Sequence, residues 1–282
     1  MSELNPSAAD ARFVDSVPEI YDLHLGPLFF GQYARDLATR LAASERPVRK
    51  VLEIAAGTGI LTEQLARLLP AEASIVATDL NPPMLAVAQK RLQGEASGSR
   101  IEWREADATT LPFSDGSFDA VVCQFGCMFF PDKPRAASET HRVLAPGGRW
   151  LFNVWGSLEE NPIPRIAHET ITSYFTDDPP QFYKVPFSMH EEESTRELVA
   201  GAGFSDVTVI PLPFAAEAAS ARHAAIGLVR GNPVLAAIEE RGTVGADEII
   251  EAIAAALARE LGDGPLRAPM LAYVVSGRKA PE

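Results

Sequence analysis

The acid most suited to holding a nucleoside is Asp79, which follows Gly59 by twenty residues and closes the segment SIVATD. Upstream, Val51, Leu52 and Ile54 make a short apolar strand that also carries Glu53, and the small residues Ala55, Ala56 and Gly57 then let the main chain approach a ligand closely. Gly59 admits a helix. Leu61, Leu65, Leu68 and Leu69 recur at helical spacing, so one face of that helix packs on the sheet while its N-terminal N–H groups point at the bend. A second strand, Ile75 to Thr78, ends on Asp79, where a carboxylate accepts two hydrogen bonds from a ribose diol. Alone, the glycine pair reads equally as a plain strand-to-helix turn. Paired with Asp79, it reads as a cofactor bend. A dinucleotide dehydrogenase would carry a third glycine three places after Gly59, and Thr62 stands there, which argues against NAD.

The elements that must position these groups alternate along the chain. Strands are expected at Val51 to Ile54, Ile75 to Thr78, Ile101 to Arg104, Phe118 to Val122 and Trp150 to Val154, with helices at Leu61 to Leu69, Pro82 to Leu92 and Pro134 to Leu144. Strands spaced by helices imply a parallel sheet in an α/β protein. Asn81 suits an N-cap and Pro82 a first helical position, so the chain turns sharply after Asp79 and presents Met84 toward the pocket. Before the core, YDLHLGPLFF reads as a loop or short helix broken by Gly26 and Pro27, and Gln32 to Leu41 as a helix. After Trp155 five prolines interrupt an aromatic stretch with Tyr174, Phe175, Phe182, Tyr183 and Phe187, which reads as a cap. A helix from Glu191 to Ala202 and strands Val207 to Ile210 and Met270 to Ser276 complete the pattern, the last two separated by a mostly helical insertion.

Composition narrows the function. The 282 residues are 46% hydrophobic and 22% charged, ordinary globular usage, with 25 basic against 38 acidic side chains for a net charge of -13. That balance repels phosphate backbones and anionic membranes, so neither nucleic acid nor a membrane is an expected partner. Cys123 and Cys127 read as core thiols in a reducing compartment. The N-terminus shows no leader pattern, and a cytoplasmic protein is expected.

The bend and Asp79 resemble motif I and the following acidic loop of the class I S-adenosylmethionine-dependent methyltransferases. The resemblance continues through IEWREADATTLPFSDGSFDAVVCQFGCMFF and PDKPRAASETHRVLAPGGRWLFNVW, covering roughly residues 48 to 155. It implies S-adenosylmethionine as cofactor, with Glu53, Ala55, Gly57, Gly59, Asp79 and Leu80 around its amino acid and ribose, Asp107 and Ala108 in the adenine loop, and Gln124 and Phe125 in the motif after the fourth strand. Ala55 departs from the family, which has its first glycine there. The implied fold is a Rossmann-like, doubly wound, seven-stranded sheet, mostly parallel with an antiparallel terminal hairpin. One domain over 1–282 is expected, with an N-terminal lid at 1–47, the cofactor core at 48–155 and cap insertions at 156–190 and 215–267. Tyr21 of the lid either lies beside the cofactor or packs in the core, and Met84 either flanks the adenine or does likewise.

For such a cofactor, whose sulfonium methyl is already activated, catalysis is mainly positioning of a nucleophile in line with water excluded. Tyr21, Phe125, Phe129 and Phe130 offer aromatic faces for the positive charge, with burial as the alternative reading for Phe129 and Phe130. If the acceptor is a hydroxyl or amine, His24, His168 and His190 are the candidate bases; His141 reads as structural. Histidine and cysteine spacing matches no metal site. The expected activity is methyl transfer to a small, partly apolar molecule, with the homodimer left open. The alternative is a fold member that binds the cofactor without methyl transfer, as a regulator or a catalyst of cyclisation or rearrangement.

Overall fold

The computed structural model describes residues 9–94, 98, 100–175 and 177–281, so the first eight residues of the expected lid lie outside it. The helices are α1 (Val17–Ile20), α2 (Gly31–Ala42), α3 (Ile60–Leu68), α4 (Pro82–Arg91), α5 (Lys133–Val143), α6 (Pro162–Ser173), α7 (Glu192–Gly201), α8 (Ala221–Arg230), α9 (Val234–Arg241) and α10 (Ala246–Leu261). The strands are β1 (Lys50–Ile54), β2 (Ser74–Asp79), β3 (Ile101–Glu105), β4 (Phe118–Gln124), β5 (Leu144–Trp155), β6 (Ser205–Ala218) and β7 (Leu266–Arg278). They form one sheet in the order β3-β2-β1-β4-β5-β7-β6, with only β7 antiparallel to its neighbours. This is the expected Rossmann-like sheet.

Alternation along each strand feeds two layers. Val51, Ile75, Ala120 and Val122 face α2 and α3, whose Leu37, Leu41, Leu61 and Leu65 are fully buried against them. Leu52, Ile54, Val121 and Phe152 face the opposite core, which also takes in the cap helices. Each such leucine contributes about 1.5–3 kcal/mol by leaving water, so covering both faces outweighs any local propensity. The strand order reverses between β1 and β4, and in an open α/β sheet that is where a ligand crevice forms, outside the carboxyl ends of the strands.

Three elements differ from the sequence reading. Tyr21–Phe30 is neither a loop nor a broken helix but a π-helical segment running without a gap from α1 into α2, with Pro27 inside it. Gly26 lies under Ile60, where a Cβ would meet the Ile60 side chain at 3.2 Å, so burial of the segment holds it wound. The terminal hairpin is longer than expected, because β6 and β7 pair from Ser205 with Arg278 to Ala218 with Leu266. Pro211 and Pro213 fall within this pairing, which β6 accommodates because it is an edge strand and needs no N–H donor on its open side. The helical insertion expected at 215–267 is therefore narrower and consists of α8, α9 and α10. In the Pro-rich cap, Pro162 and Pro164 sit in the first turn of α6, where a missing N–H costs nothing.

Candidate active site

β1 delivers Glu53 into the core, 1% exposed, and burial pushes its carboxyl up to about 8. Thr62 lies close enough to oppose that shift in part, but among the described residues Glu53 Oε2 and the hydroxyls of Thr58 and Thr62 make no hydrogen bond of ordinary length. Three buried polar atoms thus cluster at the bend. The chain then takes left-handed turns at Ala55, Gly57 and Gly59, with φ of 54°, 57° and 80°. Ala55 is tolerated there because Gly126 faces it: a Cβ on Gly126 would stand 2.5 Å from that of Ala55. Gly59 is held tightly, since its own Cβ would stand 2.9 Å from Ala88 Cβ on α4. Gly57 is the opposite case, with nothing within 4 Å of where its Cβ would be. The bend is open on that side.

Asp79 ties the bend to the acidic loop. Its Oδ2 accepts from Gly57 N at 2.9 Å, and its Oδ1 accepts from Asn81 N at 2.8 Å and Asn81 Nδ2 at 3.3 Å. Burial raises its pKa, and these donors oppose the rise. Oδ2 keeps a second lone pair for a ribose hydroxyl. Leu80 next to it is exposed. Asp107 reaches the same edge, since Ala106 N donates to Asp79 O at 3.1 Å, and its Oδ1 accepts from Thr109 N at 2.8 Å in a local turn while Ala108 is buried. Gln124 Nε2 donates to Phe30 O at 2.9 Å, which pins the N-terminal segment to the end of β4.

That segment closes over the loop. Met84 is buried with Phe13 and Val17, and Phe13 N donates to Asn81 Oδ1 at 3.3 Å. Tyr21 stacks on Phe30 at 5.0 Å, and its hydroxyl is held protonated by burial and by the nearby Asp79 and Asp22 carboxylates. Arg91 of α4 is the fastening: it pairs with Asp22, pairs with Glu63 at 3.1 Å and donates from Nε to Thr58 O at 3.1 Å. Nothing in the sequence pattern singles out Arg91, an arginine in a helix last turn like many others.

Beside Phe125 lies a narrow, tightly lined aromatic cleft of about 70 Å³. Phe125, with φ of 53°, stacks on Trp155 at 3.7 Å with the rings 6° apart. Phe29, Phe129, Phe182 and Phe187 complete the wall, while Phe130 is not among the lining residues. The polar lining comes from the cap: Tyr183 Oη and Asn232 Nδ2 both donate to Leu228 O, at 2.6 and 3.1 Å. Reading the sequence identified Tyr183 only as part of an aromatic cap and missed Asn232, because its place between α8 and α9 is meaningful only once the cap has folded onto the sheet.

The candidate bases are not in this cleft. His24 turns toward α8, its ring 4.2 Å from that of His223 and its Nδ1 3.1 Å from His223 O. His168 lies behind Tyr183, ring to ring 6.4 Å, where burial lowers its pKa. His190 Nδ1 donates to Phe187 O at 2.8 Å, with Glu191 3.3 Å from Nε2. None of the three is among the residues lining the cleft. His141 packs edge-on against Phe204.

A methyltransferase-domain family model matches residues 51–148. The demethylmenaquinone methyltransferase of Thermus thermophilus is 44% identical over 149 residues, spanning 52% of this chain and 64% of the relative. The ubiquinone/menaquinone biosynthesis C-methyltransferase UbiE of Ectopseudomonas mendocina is 33% identical over 174 residues, spanning 58% and 68%. The chain belongs to the UbiE-like class I S-adenosylmethionine-dependent methyltransferases. Among solved structures, the [4+2]-cyclase SpnF superposes over 100% of both chains with a TM-score of 0.57 at 18% identity, a likeness of fold.

The residues of this chain fit its family's cofactor. The open side of Gly57 leaves room for a ligand against the bend, Glu53 Oε2 is buried without a hydrogen-bond partner among the described residues, and Asp79 Oδ2 is bonded to Gly57 N. Tyr21 and Phe125 line the cleft and would offer the aromatic faces that a sulfonium favours.

Proposed function

We propose that this methyltransferase moves a methyl group from S-adenosylmethionine to a ring carbon of a quinol-type aromatic held in the cleft. When bound, the cofactor supplies an electrophilic methyl on a positive sulfur. The acceptor carbon forms the new bond as the methyl–sulfur bond breaks, and the ring then loses its proton to solvent, leaving S-adenosylhomocysteine. The chain's own part is placement. Phe125 and Trp155 present a flat stacked wall for a planar ring, while the Tyr183 and Asn232 side chains hold a polar rim for its hydroxyl. The observation that carries the reading is this aromatic cleft with its small polar rim, lined by Phe125, whose neighbour Gly126 packs against Ala55 of the bend. A quinone-related acceptor agrees with what the Thermus and Ectopseudomonas relatives are named for, and a C-methyl product with the name of the latter. A quinol hydroxyl donates electrons to the ring, which explains why no histidine has to reach the cleft.

The acidic balance of the chain supports a cytoplasmic enzyme that binds no nucleic acid. Among the described residues no helix is long and apolar enough to cross a membrane. The test is S-adenosylhomocysteine release with reduced naphthoquinols and benzoquinols, kept anaerobic, against simple phenols, amines and carboxylates. Turnover with quinols is expected. Cofactor binding by calorimetry with no release from any acceptor would favour the reading without methyl transfer, as a regulator or a cyclisation catalyst.

A further inference from the structure

The edge of the sheet opposite the cofactor bend carries two adjoining clefts that share arginines. One is lined by Arg46, Arg49, Arg149 and Arg278 with Glu45 and Asp119; the other by Arg40, Asp206 and again Arg149 and Arg278. Register places Arg149 of β5 directly opposite Arg278 of β7, and like charges in that relation destabilise a sheet. No ion pair among the described residues includes either guanidinium. Arg149 has a 3.4 Å contact from Nη1 to Ser44 Oγ, and Arg278 offers Ser205 its main-chain carbonyl. Burial and the charge of Arg278 both press Arg149 toward its neutral form, opposed only by Glu45. Asp119 is spent elsewhere, its Oδ2 accepting from the N–H groups of Arg49 and Lys50, and Arg40 pairs with Asp36.

The surrounding backbone makes room for cations. Gly147, with φ of 76°, leaves free the place of a Cβ that would fall 1.7 Å from Arg46 Nη1, and this arginine donates to Pro146 O at 3.3 Å. A chain of net charge -13 does not gather unpaired arginines as a side effect of a basic surface. Two adjacent planar forks match a group that presents several oxygens and more than one negative charge, which a phosphate does and a single carboxylate does not. Arg149, midway along β5, is six residues from Trp155 at the strand's C-terminal end, about 20 Å at strand rise, so these clefts are separate from both cofactor and acceptor.

We propose that the arginine-lined clefts at this edge bind a phosphorylated small molecule, with Arg149 and Arg278 together gripping its phosphate oxygens. The site stands whether or not the acceptor is a quinol. Inorganic pyrophosphate titrated into the full chain at constant ionic strength is the experiment, read by calorimetry. Saturable binding is expected, at least tenfold weaker in both Arg149→Gln and Arg278→Gln, with S-adenosylmethionine affinity within twofold of the parent chain in each. Sulfate at equal ionic strength is expected to bind more weakly than pyrophosphate. Should one variant fail to fold, the other decides. Absence of saturable heat, equal affinity in the folded variants, or an equal response to sulfate would overturn the proposal.

Discussion

The two halves of the proposed active site are held by opposite means. The cofactor half is built from main chain and missing side chains: the left-handed bend at Ala55, Gly57 and Gly59, the N–H groups that Asp79 collects, and the clearances at Gly59 and Gly126. The acceptor half is built from rings and one helix-end carbonyl, brought together from Phe13 to Met270. Main-chain geometry admits almost no substitution, whereas a wall of side chains can be resized one ring at a time. The same fold can therefore keep its cofactor while its acceptor changes.

Enlarging the bend tests that contrast most severely. Gly59→Val puts a branched side chain at φ of 80° and against Ala88, and a loss on the order of 3 kcal/mol or more is expected, measured by denaturant unfolding. If Gly59→Val unfolds like the parent chain, the clearance at the bend is not what holds this half.

The buried acid gives a pH signature. Glu53 in the folded chain holds its proton up to about 8, above the usual 4.5, so between those values the folded state binds more protons than the unfolded one. Stability of the cofactor-free chain should accordingly fall as pH rises from about 5 to 8, by a few kcal/mol. Glu53→Gln should flatten that slope in thermal melts, and a slope unchanged by the substitution would place the titration elsewhere.

Asp79→Ala should weaken S-adenosylmethionine binding by about 1–3 kcal/mol, roughly 5- to 150-fold, through lost hydrogen bonds. Calorimetry reads this directly, and an unchanged dissociation constant would remove Asp79 from the cofactor site. Asn232→Leu should act on the other half alone, raising the acceptor KM about tenfold while cofactor affinity stays as it was. His168→Gln, behind the same wall, should leave turnover within about twofold if no histidine base operates. A kcat loss of a hundredfold would restore that residue as a base acting through a rearranged cap.

The sequence by itself determined the cofactor half. Val51 to Gly59 and Asp79 lie on consecutive elements, and local rules favour a right-handed strand–helix–strand crossover there, so the parallel pairing around them was legible too. The edges of β6 and β7, the winding of Tyr21–Phe30 and the partners of the histidines were not, because prolines and glycines signal a break locally while burial and edge position decide whether the chain breaks. Only the tertiary structure brought Asn232, Tyr183, Trp155 and Phe125 to one cleft and set Arg149 against Arg278. Those pairings join segments up to more than a hundred residues apart, where no local spacing carries information and the packing of cap on sheet makes the choice.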